Sequence, residues 1–241
     1  MEVVLYAERP DVRERRDELD EFPEFMNHNA MGWKYWGRLY TDFPAFQLAV
    51  LDDGALIGEV HALSLPVEGD ELPSGWDEAF ERGMEAGGGN VVSLLAISVK
   101  PEARGKGLPA LLIGAIRDAA RAGGQESVIA PVRPTLKDRY PLIPIERYVE
   151  WRREDGSHFD PWIRAHERLG GEVVGPCAES MLIEAPVGDW QEWTGMEFPA
   201  DGTYIVPGML APLEVEGGVG RHTEPNVWMR HSVGPVIESR A

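Results

Sequence analysis

The stretch that decides the fold is VVSLLAISVKPEARGKGLPALLIGAIRDAARAGG, residues 91–124. Residues 91–99 form an almost continuous apolar run, which predicts a short strand buried on both faces. From Leu108 to Ala119 the apolar positions recur every three or four residues, which predicts an amphipathic helix. Gly123 and Gly124 are a helix stop. The stretch therefore predicts a strand, a turn and a helix.

The turn between them, residues 104–109, has the sequence RGKGLP. Glycines let the backbone approach a ligand closely, and the start of a helix presents unpaired N–H groups at its positive end. Arg104 and Lys106 add positive charge. The turn therefore predicts a phosphate or pyrophosphate site, although it matches neither the Walker A pattern GxxxxGK[ST] nor the dinucleotide pattern GxGxxG.

The composition indicates which partners and which cellular compartment are compatible with the sequence. The 241 residues carry a net charge of −18, from 41 acidic and 23 basic side chains. This charge argues against nucleic acid or an anionic membrane as the main partner, and it fits either a cationic substrate or simple solubility. A single cysteine, Cys177, excludes an intrachain disulfide. No signal-peptide pattern and no run near the roughly 18 apolar residues of a membrane span is found, so we expect a cytoplasmic protein.

No internal repeat, low-complexity segment or linker divides the sequence. We expect one domain over residues 1–241, with an insertion at 133–159 and a C-terminal extension from about 186 to 241. Residues 23–44 are rich in aromatic side chains without clear periodicity, and fit either a cover over a substrate cleft or ordinary packing. Further strands are predicted at 46–51, 55–65, 127–132, 172–174, 180–184 and 226–233, and a helix capped by Asp160 and Pro161.

Two segments resemble the GNAT acyltransferase superfamily. Residues 99–107 are similar to its coenzyme A pyrophosphate loop, R/Q-x-x-G-x-G/A after a strand ending V-x-P, with Arg104 and Gly107 in register. The last loop position differs, because Pro109 suits a first helical turn but has no N–H to donate. Residues 164–171, RAHERLGG, resemble the helix end A-x-x-x-Y-E-K-L-G-F, with His166 at the tyrosine position and Gly171 at that of the phenylalanine.

The resemblance implies an α/β (α+β) GNAT fold, a mixed twisted central sheet with helices on both faces, extended here by C-terminal strands. It implies direct transfer of an acetyl or other acyl group from acyl-CoA, with acetyl-CoA as the expected co-substrate, to an amine of a small-molecule acceptor, and a homodimer is a further expectation. In such proteins the loop binds the coenzyme, and amides near a bulge of the central strand hold its thioester end. The residues that correspond here are Ile97, Ser98, Val99, Arg104, Gly105, Lys106, Gly107, Leu108 and Pro109.

Acyl transfer to an amine needs a proton acceptor for the amine and a proton donor for the leaving thiolate. Some family members use a glutamate on the central strand as the base, and residues 91–99 contain none. Glu59 and His61 share one face of the neighbouring predicted strand, and are either candidate bases or an ordinary polar pair. His166 matches the position of the family's acid, and an unperturbed histidine pKa near 6.5 suits that role. The alternative for His166 is a hydrogen-bonded core histidine.

The insertion concentrates basic side chains that fit a substrate carboxylate or the 3′-phosphate of the coenzyme. We expect Arg139, Tyr140 and Trp151 to line the acceptor pocket, although the two aromatic residues also fit a core. The HExxH and CxxC patterns are absent and the remaining histidines lack ligand spacing, so we expect no metal.

Two alternatives stay open. The chain fits a catalytically inactive GNAT-fold module that binds acyl-CoA as a regulatory ligand, an interpretation favoured by the missing strand glutamate and by Pro109. It also fits an enzyme with a longer acyl donor or a different acceptor nucleophile.

Overall fold

A computed structural model describes residues 1–19 and 22–234. The described residues form nine strands: β1 Glu2–Leu5, β2 Gln47–Asp52, β3 Ala55–Leu65, β4 Val91–Val99, β5 Ser127–Val132, β6 Gly171–Pro186, β7 Gly202–Tyr204, β8 Leu213–Glu216 and β9 Val219–Ser232. The α-helices are α1 Pro10–Arg13, α2 Ala30–Tyr35, α3 Leu39–Asp42, α4 Trp76–Ala86, α5 Leu108–Ala122, α6 Ile145–Tyr148, α7 Pro161–Arg168 and α8 Val187–Thr194. Short 3-10 segments lie at Arg16–Glu18, Glu24–His28, Trp36–Arg38, Pro44–Phe46, Pro101–Ala103 and Lys137–Arg139.

The strands form one mixed sheet in the order β1-β2-β3-β4-β5-β9-β8-β7, with β6 paired to β9 as well. The strands β1 to β4 are antiparallel neighbours, whereas β4 and β5 run parallel. Antiparallel pairing resumes at β9, which pairs with β5, β6 and β8. The predicted mixed sheet is therefore confirmed.

The two longest helices cover opposite faces of the sheet. A Cβ on Gly58 of β3 would lie 3.7 Å from Leu112 of α5, and the side chain of Leu63 lies against Gly83 of α4. Because successive strand residues face opposite sides, positions 58 and 63 show that α5 and α4 lie on different faces. The middle of β4 is consequently buried on both sides, which explains its continuous apolar sequence.

The last strand, β9, joins the two parts of the sheet. On one edge it pairs with β6, from Gly171 opposite His231 to Pro186 opposite Val219. On the other edge it pairs with β5 and, further towards its start, with β8.

The sequence predicted two short strands, 172–174 and 180–184, where the structure has the single strand β6. The predicted last strand, 226–233, starts later than the observed β9. Register shifts after Val173 and after Cys177 interrupt the alternation of β6, which is why its pattern looks discontinuous. Residues 235–241 of the predicted C-terminal extension lie outside the described residues.

Candidate active site

The two central parallel strands separate towards their ends. β4 and β5 are paired only over Val91–Ser93 and Ser127–Ile129. Beyond these pairs lies a cavity of about 760 Å³, which we call the β4–β5 cleft. Its wall includes Ile97, Val99, Arg104, Gly105, Pro109 and His166. The predicted coenzyme loop and the predicted acid therefore line the same cavity.

The loop at the mouth of this cleft has the backbone that its glycines predict. Gly105 and Gly107 have φ values of 81° and 80°, in the left-handed region, and Gly107 is the N-cap of α5. No heavy atom lies within 4 Å of the position where a Cβ would stand on either glycine. The loop thus presents exposed backbone at the start of a 15-residue helix, as a pyrophosphate site requires. The Lys106 N–H is already used by Ala103 O at 3.3 Å.

A bulge in β4 lies beside the cleft. His61 of β3 stands opposite Ala96 and Ala62 stands opposite Leu94, so Leu95 is the extra residue. Trp76 Nε1 donates to the Leu95 carbonyl oxygen at 2.8 Å. The bulge lies two residues before the 97–99 segment that was expected to hold the thioester end.

Strand alternation divides the predicted amide donors of β4. Lys100 N–H donates to Ile57 O of β3 at 3.0 Å. Because backbone donors alternate along a strand, the Ser98 N–H also points to β3, whereas those of Ile97 and Val99 point to the opposite edge. Ser98 is therefore not available as a backbone donor to the cleft, and its side chain faces a second cavity.

This second cavity, which we call the aromatic cavity, has a volume of about 490 Å³. Its aromatic wall consists of Phe22, Trp33, Trp36 and Trp76. The two cavities share three lining residues, Phe22, Leu95 and Ala96. They therefore meet at the bulge of β4.

A buried polar cluster lies in the wall of the aromatic cavity around Glu59. Arg16 Nε donates to Glu59 Oε2 at 2.7 Å, and Arg16 Nη2 donates to Oε1 at 2.8 Å. The Tyr6 hydroxyl donates to Oε2 at 2.5 Å. His61 Nε2 lies 3.0 Å from the same Oε2, in a geometry too poor for a hydrogen bond. Glu59 and His61, both predicted as candidate bases, are thus in contact with each other.

Gln47 determines which nitrogen of His61 carries the proton. Gln47 Nε2 donates to the carbonyl oxygens of Phe43 and Ala62, at 2.8 and 2.7 Å. Its Oε1 is left as an acceptor for His61 Nδ1 at 2.8 Å. In the neutral ring, Nε2 therefore bears a lone pair and lies 3.0 Å from Glu59 Oε2.

The protonation states of the two side chains follow from their surroundings. Burial opposes ionisation of Glu59, but His61 and Arg16 outweigh it and hold the pKa of this carboxyl well below its usual range. Burial lowers the pKa of His61, despite the opposing effect of Glu59. At neutral pH the pair is an ionised carboxylate beside a neutral imidazole, whose Nε2 can take up a proton.

The environment of His166 changes its predicted role. The ring is buried, and its Nδ1 lies 2.9 Å from His231 Nε2 of β9, while its Nε2 has no hydrogen-bond partner among the described residues. Burial and the neighbouring His231 lower the pKa of His166 to about 3. The buried ring is therefore neutral at pH 7, which favours the alternative of a core histidine, and the role of His166 in proton transfer stays a prediction.

The same contact accounts for the glycine that replaces phenylalanine in the family pattern. A Cβ on Gly171 would lie only 2.6 Å from His231 Cε1. The histidine at 166, the glycine at 171 and the histidine at 231 therefore form one packed unit.

The predicted acceptor residues of the insertion lie elsewhere. Tyr140 and Trp151 pack edge to face at 4.9 Å and belong to a cluster with Tyr148 and Phe159. These two residues and the exposed Arg139 line neither the cleft nor the aromatic cavity. Local sequence could not separate a pocket wall from a small aromatic core.

Two basic side chains of the insertion, those of Arg133 and Lys137, are occupied by contacts within the protein. Arg133 forms an ion pair with the buried Glu224. Lys137 is buried and donates to the carbonyl oxygens of Tyr140 and Leu210, and burial lowers its pKa to about 8. Both residues hold the insertion to the C-terminal strands.

Sequence reasoning missed Tyr6, Arg16, Gln47 and His231. Arg16 lies in a 3-10 segment of three residues, and His231 in a strand 65 positions after its partner, so neither has a local pattern. The aromatic composition of residues 23–44 was the available signal for Trp33 and Trp36.

Within residues 1–19 and 22–234 no group of three or more His, Cys, Asp or Glu side chains could hold a metal ion. In the same residues no helix is long and apolar enough to cross a membrane.

Comparison with known proteins identifies the family. No family model matches the sequence. The arginine N-acetyltransferase avaD of Aspergillus versicolor is 30% identical over 270 aligned residues, which cover 94% of this chain and 92% of that protein. The loading GNATL domain of CurA from Lyngbya majuscula is similar in structure, with a TM-score of 0.54, 16% identity and coverage of 88% of this chain and 96% of that one.

An aminoglycoside 6′-N-acetyltransferase complexed with coenzyme A aligns with a TM-score of 0.50 at 10% identity, over 98% of both chains. These structural similarities concern the fold, and they confirm the predicted GNAT architecture. Nothing in them supports the alternative of an inactive regulatory module. The relative avaD is an N-acetyltransferase and is matched over 92% of its length, so the similarity extends from the fold to the activity. The chain therefore belongs to the GNAT superfamily and is an N-acetyltransferase that takes its acyl group from acyl-CoA.

Proposed function

We propose that this enzyme acetylates a small-molecule amine at the point where the β4–β5 cleft meets the aromatic cavity. The observation that supports the proposal is that Phe22, Leu95 and Ala96 line both cavities. Beyond these shared residues, the aromatic cavity contacts Ser98 of β4, whereas the cleft contacts Ile97 and Val99. Acetyl-CoA bound along the cleft brings its thioester to the bulge from one side. The acceptor amine reaches the same point through the aromatic cavity. Arginine is the first acceptor to test, because the relative avaD is an arginine N-acetyltransferase.

The donor end of the site follows from the loop and the strand edge. The exposed amides at Gly105 and Gly107, with the positive end of α5, suit the pyrophosphate of the coenzyme. Arg104 in the cleft wall adds a charge. The N–H groups of Ile97 and Val99 are placed to bind the arm that carries the acyl group. Leu108 and Pro109 form the first helical turn behind it.

The Glu59–His61 pair can accept the proton that the acceptor ammonium must lose. In this proposal the Glu59 carboxylate attracts the ammonium, and the Glu59–His61 pair takes up the proton that the nitrogen loses, ending as imidazolium beside carboxylate. The lone pair of His61 Nε2, 3.0 Å from Glu59 Oε2, supports this role. The deprotonated nitrogen attacks the thioester carbon, the C–N bond forms and the C–S bond breaks. The second proton lost by the nitrogen is taken up by the thiolate.

His166 has a revised role in this proposal. A neutral ring with a pKa of about 3 is a poor source of a proton at pH 7. Its unpartnered Nε2 at the cleft wall instead suits a hydrogen bond to the departing sulfur.

The experiment tests the point where the β4–β5 cleft meets the aromatic cavity. Ala96 lines both cavities, but its side chain shares the face of β4 with Ser98, which lines the aromatic cavity and not the cleft, so Ala96→Leu should fill the acceptor side of this junction most. We expect turnover of arginine to fall by about a hundredfold, since small misplacements of reacting groups cost that much. Acetyl-CoA affinity, measured by calorimetry, should fall by less than turnover does.

Ala122→Leu is the matched control, because Ala122 is exposed at the end of α5 and lines neither cavity. Turnover of Ala96→Leu equal to that of this control would mean that the acceptor does not pass Ala96. The proposal would then be wrong.

A further inference from the structure

The charged groups of the aromatic cavity are already paired. Arg16 is the cationic side chain in its wall among the described residues. Its Nε and Nη2 are both used by the two oxygens of Glu59. Among the described residues, the cation of the cavity wall therefore has its charge balanced by Glu59, and only Arg16 Nη1 is left without a protein partner and open to a carboxylate.

The amide side chains of the wall are also committed. Asn29 accepts from Gly32 N–H and donates to Asp77 Oδ1 and to Leu182 O, each at 2.9 Å. Asn27 donates to Glu24 at 3.3 Å. A carboxylate placed in this cavity would thus lose its hydration without gaining a strong partner.

The aromatic groups of the cavity, in contrast, suit a cation. Trp33 is 74% exposed although it is a large apolar side chain. Behind it His28 and Trp193 stack, with ring centroids 3.9 Å apart and an interplanar angle of 11°, and His28 also stacks on Trp33. The Arg16 guanidinium lies 5.7 Å from the centre of the Trp36 ring, so the cavity already holds one guanidinium beside an indole. Cations bind favourably over the face of an indole.

We propose that the acceptor is a cationic amine without a free carboxylate, such as a decarboxylated or carboxyl-capped arginine, and that Trp33 binds its cationic group. This inference rests on the proposed function, because it assigns the aromatic cavity to the acceptor. The net charge of −18 favours the approach of such a molecule from solution.

The first experiment compares three acceptors that differ in the carboxyl group: agmatine, arginine amide and arginine. Coenzyme A release is measured for each at saturating acetyl-CoA, and mass spectrometry identifies the acetylated product. We expect kcat/KM for agmatine and arginine amide to exceed that for arginine by about 10- to 100-fold, since the carboxylate of arginine would lose its hydration in the cavity without gaining a strong partner. Arginine acetylated as well as arginine amide would overturn the inference.

A panel of amines without a guanidinium distinguishes a failure of this inference from a failure of the proposed function. Acetylation of such an amine, with none of the three guanidino compounds accepted, would overturn the inference and leave the proposed function standing. Failure of every amine, with acetyl-CoA bound normally, would overturn both.

The second experiment tests Trp33. In Trp33→Leu the KM for agmatine should rise by about 2- to 30-fold, the range expected for a lost cation–π contact. In Trp33→Phe, which keeps an aromatic face, most of the affinity should return. The KM for acetyl-CoA should stay at the wild-type value in both variants, because Trp33 does not line the cleft. A Trp33→Leu variant with an unchanged KM for agmatine would overturn the role of Trp33.

Discussion

Gly171 should not tolerate a side chain, because His231 fills the space in front of its Cα. In Gly171→Ala the new Cβ would lie 2.6 Å from His231 Cε1 and 2.9 Å from both His231 Nε2 and His166 O. Ordinary contacts of a Cβ begin at 3.4 Å, so the imidazole would have to move by the difference of about 0.8 Å. Such a shift would take the 2.9 Å contact between His166 Nδ1 and His231 Nε2 beyond hydrogen-bond distance.

The expected effect is large enough to measure. Overpacking of this kind costs about 1–3 kcal/mol. At about 2–4 °C per kcal/mol for a chain of this size, Tm should fall by about 2–12 °C. Turnover should fall by up to about tenfold, the value of one net hydrogen bond, because His166 loses the contact that orients its ring.

Gly175→Ala is the matched control. Gly175 lies in the same strand, and no heavy atom is within 4 Å of the position of its Cβ. Both variants are compared by thermal unfolding and by coenzyme A release. The decisive measurement repeats Gly171→Ala in a His231→Ala background, where the two contacts with the imidazole are gone and only the 2.9 Å contact with His166 O remains, so the added methyl should cost less. Equal stability and activity of the two single variants, or an undiminished cost in the absence of the His231 imidazole, would refute the reasoning.

Two further predictions concern the coenzyme loop and the buried carboxylate. Gly107→Val should abolish the stabilisation by acetyl-CoA, which at a hundred times its Kd is about 2.7 kcal/mol. Gly124→Val is the control, because Gly124 has a similar left-handed φ of 76° and equally open surroundings; a thermal shift retained in Gly107→Val would contradict the loop assignment. Glu59→Gln should lower turnover by about 10²–10⁴-fold, as loss of a general base does. Because the folded pKa of Glu59 is depressed, its pairing with Arg16 stabilises the fold above the unfolded pKa of about 4.3 and is lost as pH falls. Urea unfolding at pH 6 and pH 3 should therefore show a smaller loss of stability in Glu59→Gln than in the wild type, and equal losses would exclude the pair as a source of acid sensitivity.

The parts of the fold that the sequence predicts best are those with a local cause. The bounds of β4 and α5 agree with prediction because burial on both faces and a 3.6-residue period each leave a pattern in consecutive residues. The cap of α7 agrees as well, since Asp160 accepts hydrogen bonds from Trp162 and Ile163. The fold as a whole followed from these elements together with the family resemblance.

The candidate site was predictable only in part, because it is assembled from distant segments. Glu59 and His61 were singled out by their spacing on one strand, but Arg16, which keeps Glu59 ionised, lies 43 positions earlier. The pKa of His166 could not be foreseen, because burial and a neighbour from β9 determine it. Tyr140 and Trp151 line neither cavity. Their composition suits a pocket as well as a core, and only the packing shows that they contact each other.

The position of β9 has a consequence for biosynthesis. Apart from its short pairing with β4, strand β5 finds its hydrogen-bond partner in residues 227–232, about a hundred positions later. Such long-range pairing forms late, because the loop that closes it must be ordered first. On the ribosome, the chain up to α7 therefore carries its coenzyme loop next to a β5 edge without a neighbour, and His166 lacks His231. The far wall of the cleft, formed by β5 and α7, gains the support of β9 only when β9 emerges, so coenzyme binding and completion of the sheet should coincide as the last steps of maturation.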